Sequence, residues 1–434
     1  MISNAISNGI NGSPCIPGDK SISHRSIIIP SISNGVCEIS NILKSEDVLH
    51  TLNAFKAMGV KIIENNQKII IHGNGLNSLK EPKDYIYLGN SGTSARLLTG
   101  LLSSQNFETI LKGDQSLSKR PMRRIADPLN KMNAKISTTN GTLPITIRGR
   151  ELISTNIDLK IPSAQIKSGI LLASLNTKGE TEITENKVTR DHTEIMLESF
   201  GADININNID GKKILKVKGK QELVTKNIDV PNDLSSSAFF IVATLINENS
   251  HIILKNINNN PTRNGILYAL KKMGAKISTF NERLSNNEKV CDIEVNSSSL
   301  NGCELGPDIA DLMIDEYPIL AIAASFSKSP SVFRGLKELR VKESDRLELI
   351  LRNLKNCGVN CKSENDDLFI YPAENYNVKN NLIETEFDHR IAMAFAVMGT
   401  KLGPLKIKDS DSINTSFPNF KSEFNELGGK FLEK

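Results

Sequence analysis

Six stretches of this 434-residue chain end alike: an apolar stripe at helical spacing, a glycine or asparagine, then a short strand. They occupy residues 52–62 (LNAFKAMGVKI), 128–136, 195–204, 266–277, 350–361 and 424–431. Their turn residues are Gly59, Asn133, Gly201, Gly274, Gly358 and Gly428, a period of about 70 residues. Such self-similarity constrains the fold strongly, because every unit must reach one local structure and bury one kind of face. Within a unit, a stripe such as Leu52, Phe55 and Met58 predicts a buried helix face. Glycine then closes the helix in the left-handed conformation, which Asn133 can adopt at moderate cost. Packing six such faces predicts an α/β (α+β) protein. Periodicity leaves open whether helices or sheets lie inside.

The chain is too long for one compact core and implies two domains. Six units divide three and three, and turn-forming clusters at 14–18 and 230–236 are the expected crossovers. Residues 19–233 are then an inserted lobe of three units. Residues 1–18 with 234–434 form a discontinuous lobe holding the other three. Closing of two such lobes would enclose a small ligand and exclude water.

A net charge of +4, widely spread, gives no support for bulk nucleic-acid binding. No apolar run is long enough to span a membrane, and the first residues show no leader pattern, so a cytoplasmic location is expected. Six cysteines in so long a chain do not read as a disulfide framework. Cys357 and Cys361 lack neighbouring histidines and are expected as buried thiols rather than a metal pair.

Chemistry is expected where the repeats differ. In Pro17–Arg25 (PGDKSISHR), Asp19, Ser21 or Ser23 could cap a helix, with Lys20 and Arg25 near its start. That suits an anionic ligand as well as it suits an ordinary basic helix face. Residues 88–96 (LGNSGTSAR) put small residues before an apolar helix, where backbone N–H groups can meet phosphate or carboxylate; the loop lacks the ending of a nucleotide-binding motif. In 119–124 (KRPMRR), Pro121 could start a helix and one arginine could turn inward. Ser163, Ala164 and Gln165 open another helix, and Arg190–Glu194 opens the one ending at Gly201, where His192 reads as a surface residue.

In the second half, Asp315 and Glu316 precede an apolar helix, where acids favour the helix start. Lys342 and Arg346 are four apart, so they can share a helical face beside Glu343, ordinarily as an exposed ion-pair network. Asp388-His389-Arg390 precedes a nearly all-apolar helix, placing Arg390 by a buried helix end that calls for an anionic partner.

These blocks together, in this order and over almost the whole chain, resemble the 5-enolpyruvylshikimate-3-phosphate synthase (3-phosphoshikimate 1-carboxyvinyltransferase) family of enolpyruvyl transferases. The strongest matches are 17–25, 88–96, 339–347 and 388–393. The resemblance implies an inside-out α/β barrel architecture: two pseudo-threefold lobes, six βαβαββ units, and an active site in the cleft between lobes. It implies transfer of the enolpyruvyl group of phosphoenolpyruvate to the 5-hydroxyl of shikimate 3-phosphate, with release of phosphate and with no metal or organic cofactor. Lys20, Arg120, Arg346 and Arg390, with backbone at Asn90 and Gly92, would surround phosphoenolpyruvate. Ser21 and Arg25 would meet the carboxylate of shikimate 3-phosphate, while Ser163, Ala164, Gln165 and Arg190 would hold its phosphate and ring. Asp315, with Lys342 beside it, would orient and deprotonate the 5-hydroxyl. Glu343 would deliver a proton to the methylene carbon and later remove one, and Lys20 and Lys342 would share this proton traffic.

Many relatives have lysine where this chain has Thr415, so one cation near phosphoenolpyruvate is absent or supplied elsewhere. The Ser163-Ala164-Gln165 block with Arg190, and the Ile314–Pro318 block, resemble a bacterial branch that includes herbicide-insensitive members. Those can carry alanine where this chain has Gly92, so glyphosate is an expected inhibitor here. A monomer without nucleic-acid or membrane partners is expected. The alternative is the sister transferase acting on UDP-N-acetylglucosamine, which usually bears a reactive cysteine on a mobile loop; residues 111–124 contain none. A ring-forming clamp, also built from six units, would need a continuous basic inner surface that this weakly basic chain does not suggest.

Overall fold

A computed structural model describes residues 1–65 and 68–433. All six repeat turns take one conformation. Gly59, Asn133, Gly201, Gly274, Gly358 and Gly428 have φ of +85°, +70°, +90°, +84°, +84° and +110°. In each, the N–H of the following residue reaches back five positions to the helix, as in Val60 to Phe55 (3.0 Å) and Ala202 to Leu197 (2.9 Å). This is the closure expected of a left-handed residue after the last helical turn. Leu52, Phe55 and Met58 are buried, as their spacing predicts.

The chain divides into a split unit, comprising Met1–Pro17, Asn232–Leu284 and Lys289–Lys434, and an inserted unit, Gly18–Pro231 with Ser285–Glu288. Nothing in the turn-forming clusters foretold the Ser285–Glu288 piece. Among the described residues each unit holds three four-stranded sheets in which two neighbouring strands run parallel and an antiparallel pair completes the sheet, a hairpin in every case but the one that contains Ile2–Ser3. The second sheet of the inserted unit is typical. Ile86–Tyr87 runs parallel to Glu108–Lys112, which pairs antiparallel with Thr142–Arg148, and that strand with Lys135–Thr139. The intervening helices are Gly92–Ser103 and Arg123–Lys131, giving β-α-β-α-β-β.

Three sheets borrow a strand from a distant part of the sequence. Ile228–Asp229 lies beside Asn34–Ser40, Asn11–Gly12 beside His251–Asn258, and Ile2–Ser3 between Leu405–Ile407 and Phe431–Leu432.

Helices lie inside. In the inserted unit the central ones are Lys20–Ser31, Gly92–Ser103 and Ala164–Ser174. In the split unit they are Leu234–Ile246, Tyr317–Ser325 and His389–Leu402. Every residue of Leu234–Ile246 is buried, and none is charged. By contrast, strands alternate, as in Lys68–Asn74, and turn one face to the helices. The central helices approach closely: a Cβ on Gly100 would come within 1.9 Å of the Gly169 carbonyl oxygen. No helix among the described residues is long and apolar enough to cross a membrane.

Candidate functional site

In the inserted unit, Lys20, Ser21, Gly92, Ser163, Ala164 and Gln165 lie at the N-terminal ends of the central helices. Asp19, Ser91 and Ser163 cap the three in the inserted unit, accepting from Ile22, Ser94 and Ile166 backbone N–H groups. Ser21 and Ser23 are not the cap; the Ser23 hydroxyl instead accepts from the Leu43 N–H at 3.0 Å. Unspent N–H groups and the helix dipole give each end a partial positive charge.

Side chains tie these ends together. The Arg25 guanidinium donates to Thr193 Oγ1 (2.6 Å), Ser168 Oγ (2.7 Å) and the Ser21 carbonyl (2.8 Å). It is 3% exposed, and burial pushes its pKa down to about 10 against the pull of Glu194, Asp19 and Glu288, with Arg190 near enough to lower it further. Arg96 donates to Gln165 Oε1 at 2.7 Å, and Gln165 Nε2 to Thr93 Oγ1 at 3.0 Å. Arg120 is buried and donates to Asn90 Oδ1. A Cβ at Gly92 would lie 2.7 Å from Arg96 Nη1 and 2.9 Å from Arg120 Nη1. Lys20 pairs with Asp47 at 2.5 Å. The helix after Pro121 begins at Arg123.

The split unit holds a different cluster. Arg346 is fully buried and bonds three carboxylates: Asp388 through Nε (2.8 Å), Asp315 through Nη1 (3.0 Å) and Glu343 through Nη2 (2.5 Å). Burial opposes its charge, yet Asp388, Glu343 and Asp315 together hold its proton affinity above the usual value. Lys342 Nζ lies 3.8 Å from Asp315. Arg390 Nη1 donates to the Asp315 carbonyl at 3.0 Å and to Glu316 Oε1 at 3.4 Å. Asp388 caps the last central helix, accepting from the Arg390 N–H at 2.9 Å.

Several sequence expectations need correction. Lys342 and Arg346 do not share a helical face: a short 3-10 turn ends at Val341, and the helix starts at Arg346 with Asp345 as its cap. Nor is Arg346 part of an exposed network. His192 is not a surface residue; it is 1% exposed, and its Nδ1 lies 2.6 Å from Glu288 Oε1. Thr415 is engaged in its own turn, donating to the Ser412 carbonyl at 2.8 Å.

Other polar residues escaped sequence reading. Lys167, fully buried, pairs with Glu185 (2.8 Å) and Glu194 (2.7 Å). Burial works against its charge, but Glu194 and Glu185 more than compensate and raise its proton affinity. The signal was a lone lysine in the apolar run Ile166–Ala173. Thr193 and Ser168 hold Arg25.

A family model described as EPSP synthase (3-phosphoshikimate 1-carboxyvinyltransferase) matches residues 5–424. A protein of Ruthia magnifica named 3-phosphoshikimate 1-carboxyvinyltransferase is 45% identical over 423 residues, covering 97% of this chain and 96% of that one. Its namesake in Pseudomonas sp. strain PG2982 is 43% identical over 430 residues, covering 98% and 96%. The solved structure of EPSP synthase from Acinetobacter baumannii superposes with a TM-score of 0.86 at 42% identity, covering 98% of both chains.

Proposed function

The chain belongs to the EPSP synthase (3-phosphoshikimate 1-carboxyvinyltransferase) family, and we propose on that premise how its two clusters divide the chemistry. The reaction transfers the enolpyruvyl group of phosphoenolpyruvate to shikimate 3-phosphate, a step in aromatic amino acid biosynthesis. Both substrates carry several negative charges. The 5-hydroxyl must lose a proton and attack carbon 2 of phosphoenolpyruvate while carbon 3 gains one. Loss of phosphate from the tetrahedral ketal, with removal of a carbon 3 proton, restores the double bond.

Arg25 carries the reading: a buried guanidinium whose hydrogen bonds all go to neutral oxygens, on the helices Lys20–Ser31, Ala164–Ser174 and His192–Ser199. A buried cation so held is stabilised when an anion arrives. Ser21 and Arg25 therefore receive the shikimate 3-phosphate carboxylate, and Ser163, Ala164, Gln165 and Arg190 its phosphate and ring. Lys20, Arg120, Arg346 and Arg390, with the Asn90–Gly92 backbone, receive phosphoenolpyruvate. Asp315 takes the proton of the 5-hydroxyl, with Lys342 beside it. Glu343 gives and removes the carbon 3 proton, assisted by Lys342 and Lys20. Arg346 supports this pairing, because one planar group holds both carboxylates on adjacent nitrogens.

Phosphate release measured with phosphoenolpyruvate and each acceptor tests the reading. Turnover is expected with shikimate 3-phosphate and none with UDP-N-acetylglucosamine; the reverse would overturn it. Glu343→Gln and Asp315→Ala should each lower kcat at least about a hundredfold, and near-normal turnover in either removes that residue from proton transfer. Glyphosate should compete with phosphoenolpyruvate. A methyl on Gly92 presses on Arg96 and Arg120, so Gly92→Ala should raise the glyphosate inhibition constant more than the KM for phosphoenolpyruvate; equal inhibition constants would defeat this account.

A further inference from the structure

Behind Arg390 runs a chain of buried polar side chains that the scheme above does not use. Glu316 Oε1 accepts from Arg390 Nη1 and also from the Ser235 hydroxyl. Arg263 Nη2 donates to Ser235 Oγ at 2.5 Å and to Asp233 Oδ1 at 2.6 Å. Asp233 is fixed in turn: its N–H donates to the Pro17 carbonyl at 2.9 Å, and its Oδ1 caps the helix at the Ser235 N–H. Glu316 and Ser235 are 1% exposed, Arg263 2% and Asp233 3%.

The direction of every bond is forced. A guanidinium only donates, so the Ser235 oxygen receives from Arg263 and its single hydrogen goes to Glu316. Oε1 thus takes two donors. Its twin, Oε2, is buried and accepts from no described group. Leaving a carboxylate oxygen in that state is costly, and the alternation Asp233, Arg263, Glu316, Arg390 offsets the cost with cations on either side. Meanwhile Arg390 spends its backbone N–H and Nη1 within the unit, and its Nε–Nη2 edge donates to no described residue.

We propose that Arg263, Ser235 and Glu316 are positioning residues for phosphoenolpyruvate. They lock the plane of the Arg390 guanidinium so that its open edge meets the incoming anion already oriented. Two-pronged recognition of an oxyanion depends steeply on that orientation. The inference rests on the assignment of Arg390 to phosphoenolpyruvate made above.

Steady-state kinetics on the full chain, followed by phosphate release, tests it. Ser235→Ala should raise the KM for phosphoenolpyruvate about tenfold, with the KM for shikimate 3-phosphate changed less than about twofold and the unfolding midpoint near wild type. Ser235→Thr, which keeps the hydroxyl, should restore the wild-type KM. The double variant Ser235→Ala/Glu316→Gln should be no worse than Glu316→Gln alone, since both break one chain. An unmoved KM for phosphoenolpyruvate in Ser235→Ala, equal shifts for both substrates, a folded Ser235→Thr that fails to restore, or additive losses in the double variant would overturn the proposal. Wild-type protein that releases no phosphate would instead sink the functional reading itself.

Discussion

Two buried arginines show how neighbours decide a residue's chemistry. Arg346 bonds three carboxylates that raise its proton affinity against burial, whereas burial pushes Arg25, which bonds neutral oxygens, down to about 10 against the pull of Glu194, Asp19 and Glu288. His24 is the third buried base of interest. Burial first, then Lys20 and Arg25, hold its proton affinity well below the usual value, and its Nδ1 rests 2.7 Å from Thr51 Oγ1. Unfolded, His24 takes up a proton below about pH 6.5, while the folded form does not. Stability is therefore lost as pH falls below that value, by up to about 1.4 kcal/mol per pH unit. Thermal unfolding should show a shallower decline between about pH 6.5 and 5 in His24→Asn than in wild type; parallel curves would exclude His24 as the cause. Residue types at the clusters were legible in the sequence, but local geometry was only partly so. Reading Lys342 and Arg346 as helical neighbours overlooked Asp345, whose side chain accepts from the Glu348 N–H and starts the helix at Arg346.

Among the elements, glycines divide into those needed for conformation and those needed for space. Gly201 has φ of +90° and nothing within 4 Å of where a methyl would stand, so Gly201→Ala isolates the backbone penalty, about 1–2 kcal/mol. Gly100 is helical, and its Cβ would strike the Gly169 carbonyl oxygen. Gly100→Ala must push two central helices apart, a cost at or beyond the top of the roughly 1–3 kcal/mol range for overpacking. Denaturant titration of both variants should find Gly100→Ala the more damaging; the opposite order would contradict the close helix approach. The turns were legible because their requirement is local. Which helices lie inside was also written in the chain, since Leu234–Ile246 has no charged side chain to offer water, although period alone did not use that signal.

Across the whole molecule, three sheets depend on strands from far along the chain. Ile2–Ser3 pairs with both Leu405–Ile407 and Phe431–Leu432, and the Ser3 hydroxyl donates to the Ala396 carbonyl. Deleting residues 1–5 exposes two sheet edges at once. Hydrogen exchange should then accelerate at Ile407 and Phe431 while the Gly18–Pro231 unit keeps its protection; unchanged exchange at those amides would show that the strand contributes little.

By itself the amino-acid order determined the sixfold repeat, the left-handed helix closures, the helix-turn-strand unit and the residue types that gather at helix starts. Those features follow from local sterics and from apolar patterning, which each segment carries within itself. Only the tertiary structure decided which two-residue strands complete which sheets, because so short a strand has no period to read. It also decided that Arg346, Arg25 and Lys167 are buried cations and that Ser235 links Arg263 to Glu316. The energy of a buried charge is set by partners brought from distant parts of the chain, and no local pattern records them.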